Sequence, residues 1–89
     1  MIDYKTLHDL SYMNEYLIKQ VKHCGCYYCM NIFKSSEIEN WVNDGESRTA
    51  ICPYCCIDSV LQESIDKTYE LSYDLLKKMN DIFFNGHSI

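Results

Sequence analysis

The sequence is poor in the residues that mark several large classes of protein. One proline and three glycines in 89 residues leave no glycine-rich phosphate loop and no low-complexity linker. No apolar run approaches the roughly 20 residues that cross a bilayer, and the opening MIDYKTLHDL lacks the apolar stretch of a secretory signal. Hydrophobic residues nevertheless make up 47% of the chain, which is too many for a disordered protein. We therefore expect one compact cytoplasmic domain over residues 1–89.

Basic side chains are scarce, above all in the middle of the chain. The net charge is −5, and between residues 35 and 66 Arg48 alone stands against seven acidic residues. A nucleic-acid-binding surface would show a basic stripe that neutralises phosphates, so direct DNA or RNA binding is disfavoured. These acidic residues could form a patch that binds a basic protein partner. The alternative interpretation is that they are the solvated face of a helix and the turn after it. The residues that we expect in such a contact are Glu37, Glu39, Asp44 and Glu46.

Hydrophobic spacing predicts a helix near each end of the chain. Residues 3–22 lack proline and glycine and place apolar residues three or four positions apart, with Asp3 as a candidate N-cap. A second apolar stripe predicts a C-terminal helix over about 66–84, and either Asp66 or Ser72 could be its N-cap. Both helices are interpreted as core elements.

The segment between these helices predicts shorter elements. Residues 35–42 predict a brief helix, because Ser36 and Glu39 have the spacing of a capping box. Short strands are expected within 27–33 and 49–51, on either side of this helix. The pattern of helices and short strands predicts an α+β fold.

Six cysteines are many for a chain of this length, and four of them form two CxxC pairs. The pairs spell C-x2-C-x22-C-x2-C, and each two-residue spacer allows a tight knuckle that aims both thiolates at one cation. Four sulfurs about 2.3 Å from a tetrahedral Zn²⁺ make a closed structural site. We therefore predict one structural Zn²⁺ per chain, in a zinc ribbon over residues 24–61 between the two helices. The predicted ligands are Cys26, Cys29, Cys52 and Cys55.

Other interpretations of the cysteines stay open. An iron–sulfur cluster also takes four thiolates, whereas packed thiols or disulfides are less expected in an intracellular chain. Cys24 and Cys56 flank the knuckles and are expected to be spare thiols, although each could replace a neighbour, and His23 is the next candidate ligand. Glycine often follows a knuckle because the turn needs a positive φ; Met30 and Cys56 hold those positions here.

A closed zinc site has consequences for stability and for chemistry. A chain of 89 residues has a small core, and a structural zinc contributes on the order of 10 kcal/mol that is coupled to folding. Four cysteine ligands leave no coordination position for water, which argues against zinc hydrolase chemistry. The three histidines share no spacing, and no nucleophile is accompanied by a recognisable base. We therefore expect that the chain is not an enzyme.

Residues 26–61 resemble a family of small bacterial and phage zinc-ribbon proteins. The matching pieces are the CYYC knuckle from Cys26, the SEI segment from Ser36 with Trp41, the DG turn at Asp44, Ala50, and CPYC from Cys52 followed by IDSV from Ile57. The chain departs from that pattern at Cys56, where the family has glycine. The resemblance implies the same four zinc ligands and a treble-clef-like ribbon, without a defined biochemical role.

The chain is also similar in kind to phage-encoded anti-CRISPR proteins that act on Cas9, and most of all to a zinc-containing protein of the type II-A group. The similarity is that of a small, acidic, metal-binding chain without enzyme motifs. That similarity implies a stoichiometric inhibitor of a Cas9-type nuclease, in the cytoplasm of the host cell. Two other hypotheses compete with it: a zinc-ribbon adaptor for nucleic acid or transcription, and a small cytoplasmic immunity-type protein.

Overall fold

In a computed structural model the chain is described from residue 3 to residue 87. Two short helices, α1 (Tyr4–Leu10) and α2 (Glu15–Ile18), precede the strands, and helix α3 (Tyr73–Phe83) follows them. The strands are β1 (His23–Cys26), β2 (Ile32–Lys34), β3 (Trp41–Asp44), β4 (Ser47–Ala50) and β5 (Val60–Gln62). A single 3-10 turn, Ser35–Glu37, follows β2. The predicted α+β fold, with a helical segment on each side of the strands, is confirmed.

Strand β1 lies at the centre of a three-stranded antiparallel sheet. It pairs with β2 in a register that joins His23 to Lys34, and with β5 in a register that joins Cys26 to Val60. Strands β3 and β4 form a separate hairpin. In the turn of this hairpin Gly45 adopts a φ of +74°, a conformation that glycine reaches without strain.

The pleat of the β1-centred sheet separates two cores. Successive residues of a strand point to opposite faces, so Cys24 and Cys26 belong to one core while the intervening Gly25 faces the other. The first, which we call the zinc-side core, contains Ile18, Cys24, Cys26, Phe33, Ile38, Ala50, Cys52 and Val60. The second, the helix-side core, contains Leu7, Tyr27, Leu61, Leu76 and Met79. The metal site and the two longer helices therefore lie on opposite faces of β1.

The predicted continuous helix over 3–22 is wrong, because the chain turns between α1 and α2. Asp3 does cap α1, its Oδ1 accepting the N–H of Thr6 at 2.8 Å. The helix ends at Leu10, however, and Met13 adopts a left-handed φ of +50°. The apolar spacing continues through this break, which is why the sequence pattern did not reveal it.

Asn14 accounts for the break between α1 and α2. Its buried side-chain amide donates to the carbonyl of Val60 at 2.9 Å and to Oε1 of Gln62 at 3.1 Å. Its Oδ1 accepts the N–H of Ala50 at 3.2 Å. One residue thus links the three-stranded sheet to the hairpin, and satisfying these buried groups outweighs the local preference for helix.

The predicted brief helix over 35–42 is also wrong beyond its first turn. Glu37 accepts the backbone N–H of Lys34 at 2.8 Å, so a capping interaction forms two positions earlier than the expected pair of Ser36 and Glu39. Ile38 is already extended, with a ψ of 120°, and Trp41 begins β3. Ile38 is buried in the zinc-side core, and the following residues pair with β4 instead of continuing the helix.

The predicted strand regions 27–33 and 49–51 overlap the observed strands only in part. Ile32 and Phe33 belong to β2, and the preceding residues form the turn of the first cysteine knuckle. Residues 49 and 50 belong to β4, and residue 51 leads into the second knuckle.

The C-terminal helix is shorter than the predicted 66–84. Helix α3 begins directly after Ser72, whose hydroxyl accepts the N–H of Leu75 at 3.2 Å. Asp66 instead accepts the hydroxyl of Thr68 at 2.8 Å within the loop that precedes the helix. In residues 3–87 no helix combines the length and the apolar character needed to cross a membrane.

Candidate metal centre

The two CxxC pairs come together on the zinc-side face of the β1-centred sheet. Cys26 ends β1 and Cys29 lies in the turn before β2, whereas Cys52 and Cys55 lie in the loop between β4 and β5. All four Sγ atoms lie within 4.8 Å of one another. The Sγ atoms of Cys26 and Cys55 are 3.6 Å apart, and those of Cys29 and Cys52 are 3.7 Å apart.

These separations fit the coordination shell of one metal ion. Sulfurs at 2.3 Å from a tetrahedral Zn²⁺ lie about 3.8 Å from one another, close to the two shorter separations. In a cluster of several irons the thiolates bind different iron atoms, so the sulfurs would stand further apart. The structure therefore places the four predicted cysteines to bind one ion, and a tetrahedral set of thiolates is typical of zinc.

The two knuckles share the same backbone hydrogen bonds. In the first, the N–H of Met30 donates to the carbonyl of Cys26 at 2.8 Å; in the second, the N–H of Cys56 donates to the carbonyl of Cys52 at 3.0 Å. The N–H two residues after the first cysteine of each pair donates to that cysteine's sulfur, at 3.3 Å and 3.4 Å respectively. Such donors stabilise the negative charge of a thiolate.

The residue that follows each knuckle is left-handed, as glycine would be. Met30 has a φ of +63° and Cys56 a φ of +65°. Residues other than glycine disfavour the left-handed region, because their Cβ atom crowds the following carbonyl. The two non-glycine residues thus keep the knuckle geometry at a cost in conformational energy.

Two further side chains form hydrogen bonds with the sulfurs, and the sequence pattern assigned no role to either of them. The amide of Asn31 donates to Cys29 Sγ at 3.3 Å, and the hydroxyl of Ser59 lies 3.1 Å from Cys26 Sγ. The position of Asn31, two residues after a knuckle cysteine, could have indicated such a contact. Ser59 reaches the site only through the pairing of β5 with β1, for which the sequence carries no local signal.

Burial opposes ionisation of three of the four thiols in the absence of a cation. It raises the pKa of Cys52 to about 11 and also raises the pKa of Cys55. Burial acts in the same direction on Cys29, but hydrogen bonds from Asn31 and from neighbouring thiols outweigh it and lower the pKa of that thiol. A bound divalent cation would hold the four sulfurs as thiolates, so metal binding and proton release are coupled.

The three alternative ligands lie outside the cluster. Cys24 is fully buried, and its Sγ lies 3.4 Å from Ser35 Oγ. Burial raises the pKa of Cys24 to about 11. Cys56 is exposed, and the exposed His23 lies beside Glu63, with 3.8 Å between Nδ1 and Oε1.

The four acidic residues predicted to contact a partner are spread from the 3-10 turn to the turn of the β3–β4 hairpin. Glu37 is tied to the second knuckle, because its Oε1 accepts the hydroxyl of Tyr54 at 2.5 Å. Glu39 and Glu46 are exposed. Asp44 ends β3, where its backbone pairs with that of Ser47. The length of β3, about 10 Å for a strand of this size, separates the first two acids from the last two.

Comparison with known proteins identifies no family. No family model matches the chain, and no curated protein and no solved structure matches it. The resemblance to small zinc-ribbon proteins therefore stays a prediction, carried by the residues of the two knuckles and the segment between them.

Proposed function

We propose that this chain is a non-catalytic, zinc-stabilised domain that binds a protein partner with a basic surface and inhibits it. The closed four-cysteine centre carries the proposal. Four sulfurs complete the coordination of one ion and leave no position for water or substrate, so the ion's role is to hold the fold together. It would join the end of β1 to the loop between β4 and β5.

The distribution of charge supports a basic partner. Glu39 and Glu46 are exposed, and neither forms an ion pair with any other residue of the described range 3–87. Four thiolates add a charge of −4 and Zn²⁺ adds +2, which changes the formal net charge from −5 to −7. The electric field of this negative charge attracts cationic surfaces and raises the rate of association with them.

In its most specific form, the proposal is a phage-encoded inhibitor of a Cas9-type nuclease. Its support is the similarity in kind to anti-CRISPR proteins, together with the positively charged channel in which such a nuclease holds its guide–target duplex. Acidic side chains would compete for that channel. This form of the proposal is tested by measuring DNA cleavage by the purified nuclease in the presence of increasing amounts of the zinc-loaded chain. Unchanged cleavage would exclude inhibition of the nuclease.

The binding proposal is tested by charge reversal at two of the predicted contact residues, one on each side of β3. Glu39→Lys and Glu46→Lys are each expected to weaken the partner complex several-fold, mainly through slower association. Glu70→Lys is the matched control, because Glu70 is exposed and lies outside the predicted contact. Partners are captured from a host lysate with the wild-type chain and then titrated in purified form. Equal affinities for all three variants would contradict the proposed contact.

A further inference from the structure

A cleft of about 590 Å³ opens where the last residues of α1 and α3 approach each other. Aromatic rings and two carboxylates line it, and we call it the aromatic cleft. The residues that define it are His8, Tyr27, Phe83, Phe84, Asp9 and Asp58. None of the acidic residues predicted from the sequence to contact a partner lines this cleft.

Aromatic rings that pack against one another at tilted angles form the apolar wall of the aromatic cleft. The ring centroids of His8 and Phe83 are 4.4 Å apart, and those of Tyr27 and Phe84 are 5.8 Å apart. Phe83 and Phe84 are only half-buried, so part of each ring stays accessible. The faces of aromatic rings carry negative partial charge and attract cations.

A buried pair of hydroxyls fixes the floor of the cleft. Ser11 Oγ and Tyr27 OH are 2.8 Å apart, and both residues are less than 5% exposed. The backbone carbonyl of Tyr27 also accepts the side-chain amide of Asn80 at 3.0 Å. The floor is therefore held in place before any ligand arrives, which lowers the entropic cost of binding.

The charge of the aromatic cleft is negative. Asp9 and Asp58 are exposed at its edge, and within residues 3–87 neither carboxylate has a hydrogen bond or ion pair that would neutralise it. Among the residues that the structure describes, no lysine and no arginine lines the cleft. The C-terminal ends of α1 and α3 add further negative potential from their carbonyl groups.

We propose that the aromatic cleft binds an arginine side chain of the partner protein. This inference rests on the proposed function, since it names the group on the basic partner that the domain recognises. A guanidinium is planar, so it can stack on Phe83 or Phe84 while its N–H groups reach the carboxylates. A lysine ammonium would satisfy the carboxylates but would make less use of the rings, because it is a compact and strongly hydrated charge.

The test is a titration of the full-length, zinc-loaded chain with N-acetyl-L-arginine amide, followed by ¹H–¹⁵N NMR. We expect saturable shifts at Asp9, Asp58, Phe83 and Phe84. N-acetyl-L-citrulline amide has nearly the same shape without the charge and is expected to cause little change, and the lysine analogue is expected to bind more weakly than arginine. Equal binding of the citrulline and arginine probes, or shifts located elsewhere, would overturn the proposal.

Substitution of the carboxylates gives a second measurement. Asp9→Asn and Asp58→Asn are each expected to weaken the arginine probe about three- to tenfold, and the double variant more. Asp74→Asn, an exposed acid of α3 outside the cleft, is the control for the change in net charge. Because all three sites are exposed, the fold and zinc content should be retained, and both are measured. If Asp9→Asn and Asp58→Asn bind the arginine probe as tightly as Asp74→Asn does, the assignment of the cleft as an arginine site is wrong.

The inference and the proposed function can fail separately. A partner complex that is weakened by Glu39→Lys but unaffected by Asp9→Asn and Asp58→Asn would contradict the arginine cleft and leave the binding domain intact. Binding of the arginine probe by a chain that captures no protein partner would support the cleft and contradict the proposed function.

Discussion

Leu76 occupies the space in which a side chain on Gly25 would lie: its Cδ1 is 2.8 Å from the position of a Cβ on that glycine. Leu71 is nearly as close, with its Cδ1 at 3.2 Å. Gly25 lies between Cys24 and Cys26 on β1, so its missing side chain lets the α3 side of the molecule pack directly on the strand that carries the first metal ligand. The helix-side core and the metal centre therefore meet at β1.

We predict that Gly25→Ala lowers the free energy of unfolding of the zinc-loaded chain by about 1–3 kcal/mol, because the added methyl overpacks the contact with Leu76. Urea unfolding measures the change. Gly45→Ala is the comparison, since a Cβ at Gly45 meets nothing within 4 Å and its cost would come from backbone conformation alone. In a double-mutant cycle, Gly25→Ala and Leu76→Val should cost less together than the sum of their separate effects; strict additivity would contradict the steric explanation.

A second prediction concerns two buried cysteines of β1. Cys26→Ser should prevent stable metal binding and remove most of the roughly 10 kcal/mol that a structural zinc contributes, so this variant is expected to be unfolded at room temperature. Cys24→Ser changes the same chemical group two residues earlier, at a position that is equally buried. It should keep one zinc per chain by elemental analysis and remain folded by circular dichroism.

Treatment of the wild-type chain with a strong chelator extends this test. Loss of metal should unfold the domain, and added zinc should restore it. A chain that stays folded in chelator, or a Cys24→Ser variant that loses zinc like Cys26→Ser, would refute the assignment of the four structural ligands.

The ligands could be predicted from the sequence because a CxxC knuckle is a local device: two cysteines three positions apart reach one ion whatever surrounds them. The end of the first helix could not be predicted, because Asn14 breaks that helix through contacts with Val60 and Ala50 that exist only after the sheets have formed. The aromatic cleft was beyond prediction for the same reason, since Asp9 and Asp58 are distant in the sequence and share a cavity only in the folded chain.

A third prediction follows from the role of Asn14. Asn14→Ala leaves the N–H of Ala50, the carbonyl of Val60 and Oε1 of Gln62 without the partner that Asn14 provides. An unsatisfied buried group costs about 1–3 kcal/mol. We therefore expect a loss of about 2–4 kcal/mol in urea unfolding, allowing for local relaxation. Asn43→Ala is the control, because Asn43 is exposed in β3 and should change stability by less than about 0.5 kcal/mol. Similar losses for the two variants would contradict the linking role of Asn14.

The last prediction uses the left-handed residue that follows each cysteine knuckle, because these two residues differ in what their side chains contact. At Cys56 the side chain is exposed, so glycine would remove a backbone cost of about 1–2 kcal/mol and give back about 0.5–1 kcal/mol through the greater freedom of the unfolded chain. Cys56→Gly should therefore raise the free energy of unfolding by up to about 1.5 kcal/mol, measured by urea unfolding. Cys56→Ala also removes the thiol but keeps a Cβ, so it should not raise the free energy of unfolding.

Met30 also has a left-handed φ, but its side chain packs against the helix-side core. Met30→Gly therefore loses apolar contact and should be destabilising. A gain at both positions, or an equal gain for Cys56→Ala, would contradict the account of strain in the knuckles.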